Sequence, residues 1–182
     1  LEAVEALGRT DVIVMDKTGT LTYNEMMVYK AFVNGKIYKA TGTGYFSNGK
    51  VFFNEVPVDL KFHETLLLMA KASLLLDTSV MDYDEKTESF FIKGEPMHAA
   101  MRVFAQKLGL EKKDILKQYK KLYEIPFDPN LRMQIGLFEK NKIIFCFASG
   151  LPEAIAQACI SIDQDVENIL SSFLSEGLRI IA

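Results

Sequence analysis

The feature that most constrains this chain is a junction near its front. Residues 11–15 (DVIVM) are short, apolar and β-branched, with charge on either side. Such a run reads as a strand buried in a parallel sheet. It leads straight into Asp16-Lys17-Thr18-Gly19-Thr20-Leu21-Thr22, a polar loop containing glycine. A carboxylate at the C-terminal end of a parallel strand points into the crevice where α/β sheets bind ligands. Neighbouring N–H groups and hydroxyls can hold a phosphoryl group. Asp16 can then attack phosphorus to form an acyl phosphate. Lys17 offsets negative charge there, and Mg2+ is needed as well.

Beyond this junction the periodicity changes. Residues 27–33 and 36–41 flank Asn34-Gly35, a strong hairpin signal. Residues 41–49 are loop-like. Helical spacing of apolar residues covers 60–76, and further helices are expected over 2–7, 95–108, 112–121, 152–158 and 166–175. Strands are expected over 80–83, 89–92, 124–127, 133–139 and 142–148. Gly177 ends the last helix, and residues 178–181 read as the start of a further strand. The pattern implies an α+β domain, an antiparallel sheet with flanking helices, inserted after the first strand of an α/β domain of which only the edges are present. The boundaries fall at residues 1–24 for the start of the α/β domain, 25–176 for the inserted domain and 177–182 for the return hinge.

Composition excludes several classes. The net charge of -3 offers no basic field for nucleic acid or anionic lipid. Apolar runs such as residues 66–70 and 143–148 fall far short of the ~18 residues of a membrane span, so direct membrane insertion by this piece is not expected. Two cysteines, Cys146 and Cys159, suit neither a disulfide framework nor a zinc site. No basic start or apolar centre of a signal peptide opens the chain. Both ends read as cut in mid-fold.

The DKTGTLT run resembles the phosphorylation motif of the P-type ATPases, and residues 4–13 resemble the segment preceding it in calcium-pump-type members. The resemblance implies a haloacid-dehalogenase-like phosphorylation domain carrying Asp16, with an inserted nucleotide-binding domain. Soluble phosphatases of that superfamily carry a second Asp two residues after the nucleophile, which breaks down the acyl phosphate. Here that position is Thr18. A hydroxyl is no base near neutral pH, so the intermediate should persist, as a pump requires. Asp16 and Thr18 are also the residues expected at Mg2+.

The resemblance continues through the nucleotide site. In Ile125-Pro126-Phe127-Asp128-Pro129-Asn130-Leu131-Arg132-Met133, Phe127 is placed to stack on adenine and Arg132 to pair with phosphate. Phe147-Ala148-Ser149-Gly150-Leu151-Pro152-Glu153 is similar to the family's Lys-Gly-Ala-Pro-Glu element, with Gly150 allowing close approach of backbone and Ser149 in place of the lysine. Gly94-Glu95-Pro96-Met97-His98-Ala99-Ala100-Met101 is similar to Gly-Asp-Pro-Thr-Glu-Gly-Ala-Leu, with His98 in place of the Glu that bonds the adenine amino group. A neutral His still accepts one hydrogen bond. Arg179, in Gly177-Leu178-Arg179, is expected to reach phosphate at the return hinge. His63, Met69, Met97 and Met101 read as structural, and Lys112, Lys113, Lys117, Lys120 and Lys121 as a solvated helix face.

These readings imply the ATP-binding domain of a cation-transporting pump, the cytoplasmic portion of an integral membrane protein. Its partners are nucleotide, with Mg2+, and the phosphorylation, actuator and membrane domains of the same pump. Calcium is the expected ion, from residues 3–11 and 41–45. The family's Thr-Gly-Asp and Gly-Asp-Gly elements do not follow Arg179, so this piece should bind nucleotide without turning it over. The alternative is a divergent binding or regulatory module of weak ATP affinity, because Ser149 and His98 break two expected contacts. A soluble phosphatase is disfavoured by Thr18.

Overall fold

The computed structural model describes residues 4, 8–23 and 25–182. The helix expected over residues 2–7 lies, apart from Val4, outside them, as does the side chain of Thr18. Strand formation begins at the Asn34-Gly35 signal. Lys30–Val33 (β1) and Lys36–Ala40 (β2) pair around it with Phe32 opposite Ile37. Both turn residues have positive φ, 49° and 71°, the geometry that matches the twist of a two-residue hairpin. Val51–Phe53 (β3) and Val56–Pro57 (β4) complete an antiparallel sheet in the order β1-β2-β3-β4. Val80–Asp84 (β5) and Ser89–Lys93 (β6) form a second hairpin. Lys120–Asp128 (β7), Met133–Lys140 (β8) and Ile143–Gly150 (β9) form a third antiparallel sheet, with β8 in the middle. The α+β expectation with antiparallel sheets therefore holds.

Helices cover these sheets. Glu64–Leu76 (α1) buries Leu66, Ala70, Leu74, Leu75 and Leu76, one face at helical spacing that closes fully at its last turn. It packs against Pro96–Lys107 (α2), which has Pro at its start where a missing N–H costs little. Lys112–Gln118 (α3), Pro152–Ala158 (α4) and Asp165–Ser175 (α5) follow. Phe138, on the inward face of β8, joins Ala70, Leu74, Ala105 and Tyr119 in one buried cluster. Leu66 and Phe104 join Tyr38 and Val51 of the first sheet in another.

Four expectations are corrected. Residues 11–15 are not a buried strand. Val12, Ile13 and Val14 are 75%, 67% and 92% exposed, and no strand among the described residues pairs with them. An apolar run needs a neighbouring strand to satisfy its backbone and cover its side chains. The helix expected over 60–76 is broken at His63. Asp59 caps a short 3-10 turn at Leu60–Phe62, and His63 leaves the helical conformation (φ -134°, ψ 58°), with its Nδ1 2.9 Å from Tyr38 Oη. The helix expected over 112–121 ends at Gln118. Tyr119 turns its ring edge-on to Phe145, and Lys120 crosses to pair with Glu139 in the sheet. Pairing across the sheet overrides local helical preference here, so Lys120 and Lys121 are strand residues. Finally, residues 178–181 form no strand, although Ala182 and Gly150 exchange backbone hydrogen bonds of 3.0 and 2.8 Å.

The β8–β9 turn is Asn141-Lys142, with φ of 53° and 64°. A side chain with a Cβ in this left-handed region costs about 1 kcal/mol. Lys142→Gly should therefore raise stability by roughly 0.5 kcal/mol after the entropic cost of glycine. Urea unfolding measures this, and a lower midpoint would show that the Lys142 side chain contributes contacts of its own.

Candidate functional site

The front motif has a definite local geometry. Asp16 Oδ1 accepts a hydrogen bond from Lys17 N at 2.8 Å and caps a single π-type turn over Lys17–Leu21. Thr22 N closes it on the Lys17 carbonyl at 3.1 Å. Gly19 sits at φ 75°, in the left-handed region that glycine adopts freely. Asp16 and Lys17 are exposed. Among the described residues no group of three or more His, Cys, Asp or Glu side chains that could hold a metal ion assembles. The side chain of Thr18, the other residue expected at Mg2+, lies outside the described residues.

Elsewhere, a cavity of about 200 Å³ opens where β7, β8 and β9 meet the start of α2 and the return segment. Its lining draws on five separate stretches. From α2 and the residue before it come Glu95, Met97 and His98. Phe127 comes from β7, just past Pro126, where the strand's register breaks because proline has no N–H to donate. Gln134 and Ser149 face each other across β8 and β9. Gly150 ends β9 and Leu151 follows it, while Arg179, Ile180 and Ile181 also line the cavity. A Cβ at Gly150 would lie 2.3 Å from the Arg132 carbonyl oxygen, so only glycine fits. The backbone exchange between Gly150 and Ala182 brings residues 179–181 to this place.

Five of the six residues expected at nucleotide therefore line one cavity: His98, Phe127, Ser149, Gly150 and Arg179. Arg132 does not. Asp128 Oδ1 takes the N–H groups of Asn130 and Leu131 at 2.7 and 3.1 Å, and the turn leaves Arg132 exposed at φ 55°. Its carbonyl holds Leu151 N at 3.0 Å. Met97 is half-buried on the cavity wall and is not a core residue. Phe127 is 56% exposed, with a ring face free for a ligand. A second cavity of about 270 Å³, beside Tyr38, His63, Lys36 and Lys61, gathers none of the expected residues.

Sequence reasoning missed Gln134. Its signal was a polar residue on the inward face of β8, in phase with Gly136 and Phe138. It is 4% exposed, and its Nε2 lies 3.5 Å from the Leu76 carbonyl and 3.1 Å from His98 Nε2. His98 is itself 8% exposed and reaches Thr78 Oγ1 through Nδ1 at 3.2 Å. Thr78 belongs to a braced corner. Asp77 Oδ1 accepts from Ser79 N and Ser79 Oγ at 2.7 and 2.6 Å, and Lys112 Nζ reaches Asp77 Oδ2 at 2.9 Å. Lys112 is thus part of this corner rather than of a solvated face.

Burial pushes the His98 imidazole below its ordinary value. The carboxylates of Asp77 and Glu95 oppose that shift, and the Lys112 ammonium adds to it. Because the folded pKa is the lower one, protons favour the unfolded chain. The stability linked to His98 is fully present above the unfolded value of about 6.5 and is lost as pH falls below it. Thermal melts between pH 7.5 and 5 should show a fall in wild-type stability that His98→Gln reduces. Parallel curves for the two proteins would place the titrating group elsewhere.

Comparison with known proteins fits this geometry. The family model for the P-type ATPase cytoplasmic domain N matches residues 65–180. A calcium-transporting ATPase of Bacillus subtilis is 28% identical over 196 residues, covering 100% of this chain and 22% of its own length. An endoplasmic reticulum-type calcium-transporting ATPase of Arabidopsis thaliana is 32% identical over 190 residues, 87% of this chain and 19% of the relative. A sodium/potassium exporting P-type ATPase of Schizosaccharomyces pombe is 26% identical over 211 residues, 100% of this chain and 20% of the relative. The chain thus spans about a fifth of the length of these relatives. It belongs to the P-type ATPase family, whose cytoplasmic domain N it carries.

Proposed function

We propose that this chain is the ATP-binding domain of a cation-transporting pump and that the cavity beside Phe127 receives the adenine ring. The observation that carries this reading is the convergence of His98, Phe127, Ser149, Gly150 and Arg179, distant in sequence, on one cavity. At about 200 Å³ it suits a base better than a whole nucleotide. The phosphates then run outward, toward the exposed Arg132 and the hinge-side Arg179. Phe127 offers its ring for stacking. Ser149 can donate a hydroxyl hydrogen bond but supplies no charge.

The wider reading follows from the relatives. Two of them are named calcium-transporting, and calcium is the proposed ion. In the whole pump Asp16 would take the ATP γ-phosphate on a haloacid-dehalogenase-like domain on the cytoplasmic side of a membrane. Residues 1–24 would begin that domain, 25–176 would be the nucleotide domain, and 177–182 would return. An inserted domain needs its two ends close together. Lys30 Nζ lies 2.7 Å from Glu176 Oε1 and over the rings of Tyr29 and Phe173, which supports that arrangement.

Titration with ATP, followed by amide shifts, should move Phe127, Gln134, Ser149 and Gly150 together. Phe127→Ala should weaken binding about tenfold or more, since stacking a base on an aromatic ring is worth ~1–3 kcal/mol. Undiminished affinity in a folded Phe127→Ala variant would remove adenine from this cavity. The 182-residue chain should also bind Mg-ATP without forming an aspartyl phosphate, because among the described residues no cluster of three or more metal-ligating side chains assembles. Mass spectrometry after incubation checks this, and covalent phosphate on Asp16 would contradict it.

A further inference from the structure

The polar corner beside the cavity has a direction. A glutamine amide has one donating end and one accepting end. Leu76 ends α1, so its carbonyl lacks a helical partner and can take only a donor. Its nearness to Gln134 Nε2, 3.5 Å, sets the NH2 end on that side. The same NH2 lies 3.1 Å from His98 Nε2, which must then be the acceptor. The imidazole proton is thereby placed on Nδ1, where it donates to Thr78 Oγ1 at 3.2 Å. Both ring nitrogens of His98 are occupied inside the protein and neither is offered to a ligand.

The amide's other end has no such partner. Gln134 Oε1 takes no hydrogen bond among the described residues, and the sealed, unpaired side-chain atoms are Tyr45 Oη and Arg102 Nε instead. Because Gln134 lines the cavity, its Oε1 is the acceptor left for whatever enters. Were the proton on His98 Nε2, the amide would have to reverse. Its oxygen would then face the Leu76 carbonyl, and its NH2 would face the cavity.

We propose that Thr78 and His98 are positioning residues that lock the Gln134 amide with its oxygen toward the cavity, so that the site selects purines bringing an amino donor to that edge. This inference rests on the purine reading given above. The discriminating element is a relay of three side chains from three separate elements. Asp77, Ser79 and Lys112 hold its far end in place.

Two measurements on the 182-residue chain test it. The first reads the His98 tautomer by long-range 1H-15N correlation at pH 7.5 and needs no nucleotide. A proton on Nδ1 is expected, and a proton on Nε2 overturns the relay. The second compares ATP with the triphosphate of unsubstituted purine riboside, which lacks the 6-amino group. Wild type should prefer ATP by about tenfold, the worth of one buried hydrogen bond. Thr78→Ser should keep that preference. Thr78→Val and Gln134→Met should reduce it to within about twofold. Equal affinities in wild type, or a folded Thr78→Val variant that keeps the whole preference, overturn the selectivity while leaving the purine site standing. Failure of both nucleotides to bind wild type overturns the purine reading and the selectivity together.

Discussion

The Asp77 carboxylate is fully enclosed, and an enclosed charge must be answered on every side. The protein answers it with Ser79 N, Ser79 Oγ and Lys112 Nζ, while the same ammonium also takes the Asp77 backbone carbonyl at 2.7 Å. These contacts end α1, start the run into β5 and pin α3 against both. Asp77 thus joins three elements whose apolar contacts alone would allow sliding. Thr78 has no freedom of its own between these braced neighbours, so its hydroxyl meets His98 in one place. The polar order of the cavity wall depends on this corner.

Much of the fold was legible because local signals agreed with tertiary demand. Asn34-Gly35 specified a hairpin that the backbone adopts with both residues in the left-handed region. The helices expected over 95–108 and 152–158 formed, with Pro96 and Pro152 in their first turns. Misreadings arose where a distant partner decided the outcome. Residues 119–121 continue a helical pattern, yet Tyr119 is drawn to Phe145 and Lys120 to Glu139 across the sheet. His63 interrupts a continuous apolar period because Tyr38 and Phe53 hold its ring. Residues 11–15 carry the composition of a buried strand but, among the described residues, no strand lies beside them.

The cavity was legible by resemblance at Phe127, Ser149, Gly150, Arg179 and His98, each of which lies in a recognisable local motif. Gln134 was not, because one glutamine in a strand announces nothing until Leu76 and His98 are seen beside it. The role of His98 also changes with that neighbour. In sequence it stands where the family has a Glu and looks like a weaker substitute for it. Buried between Thr78 and Gln134, it has no free acceptor to lend. Under the proposed function, the acceptor at the edge of the cavity would be the amide oxygen of Gln134 on β8. That contact would then come from β8 and not from α2.

The proposed base contact would join the cavity to the return segment. Gln134 faces Ser149 across the sheet, and the residue after Ser149 exchanges two backbone hydrogen bonds with Ala182. The wall that closes the cavity is therefore the stretch that leaves α5 at Gly177, beside the Lys30–Glu176 pair. Any rotation at Gly177 would have to move Arg179, Ile180 and Ile181 against the anchor of Ala182 on the end of β9. Under the proposed function, filling the cavity and setting the hinge angle draw on the same few residues of backbone. A base seated on Phe127 would favour those hinge angles that leave residues 179–181 in contact with it. Coupling between two sites requires such differential contact, and here it would arise at the boundary between the nucleotide domain and the remainder of the pump.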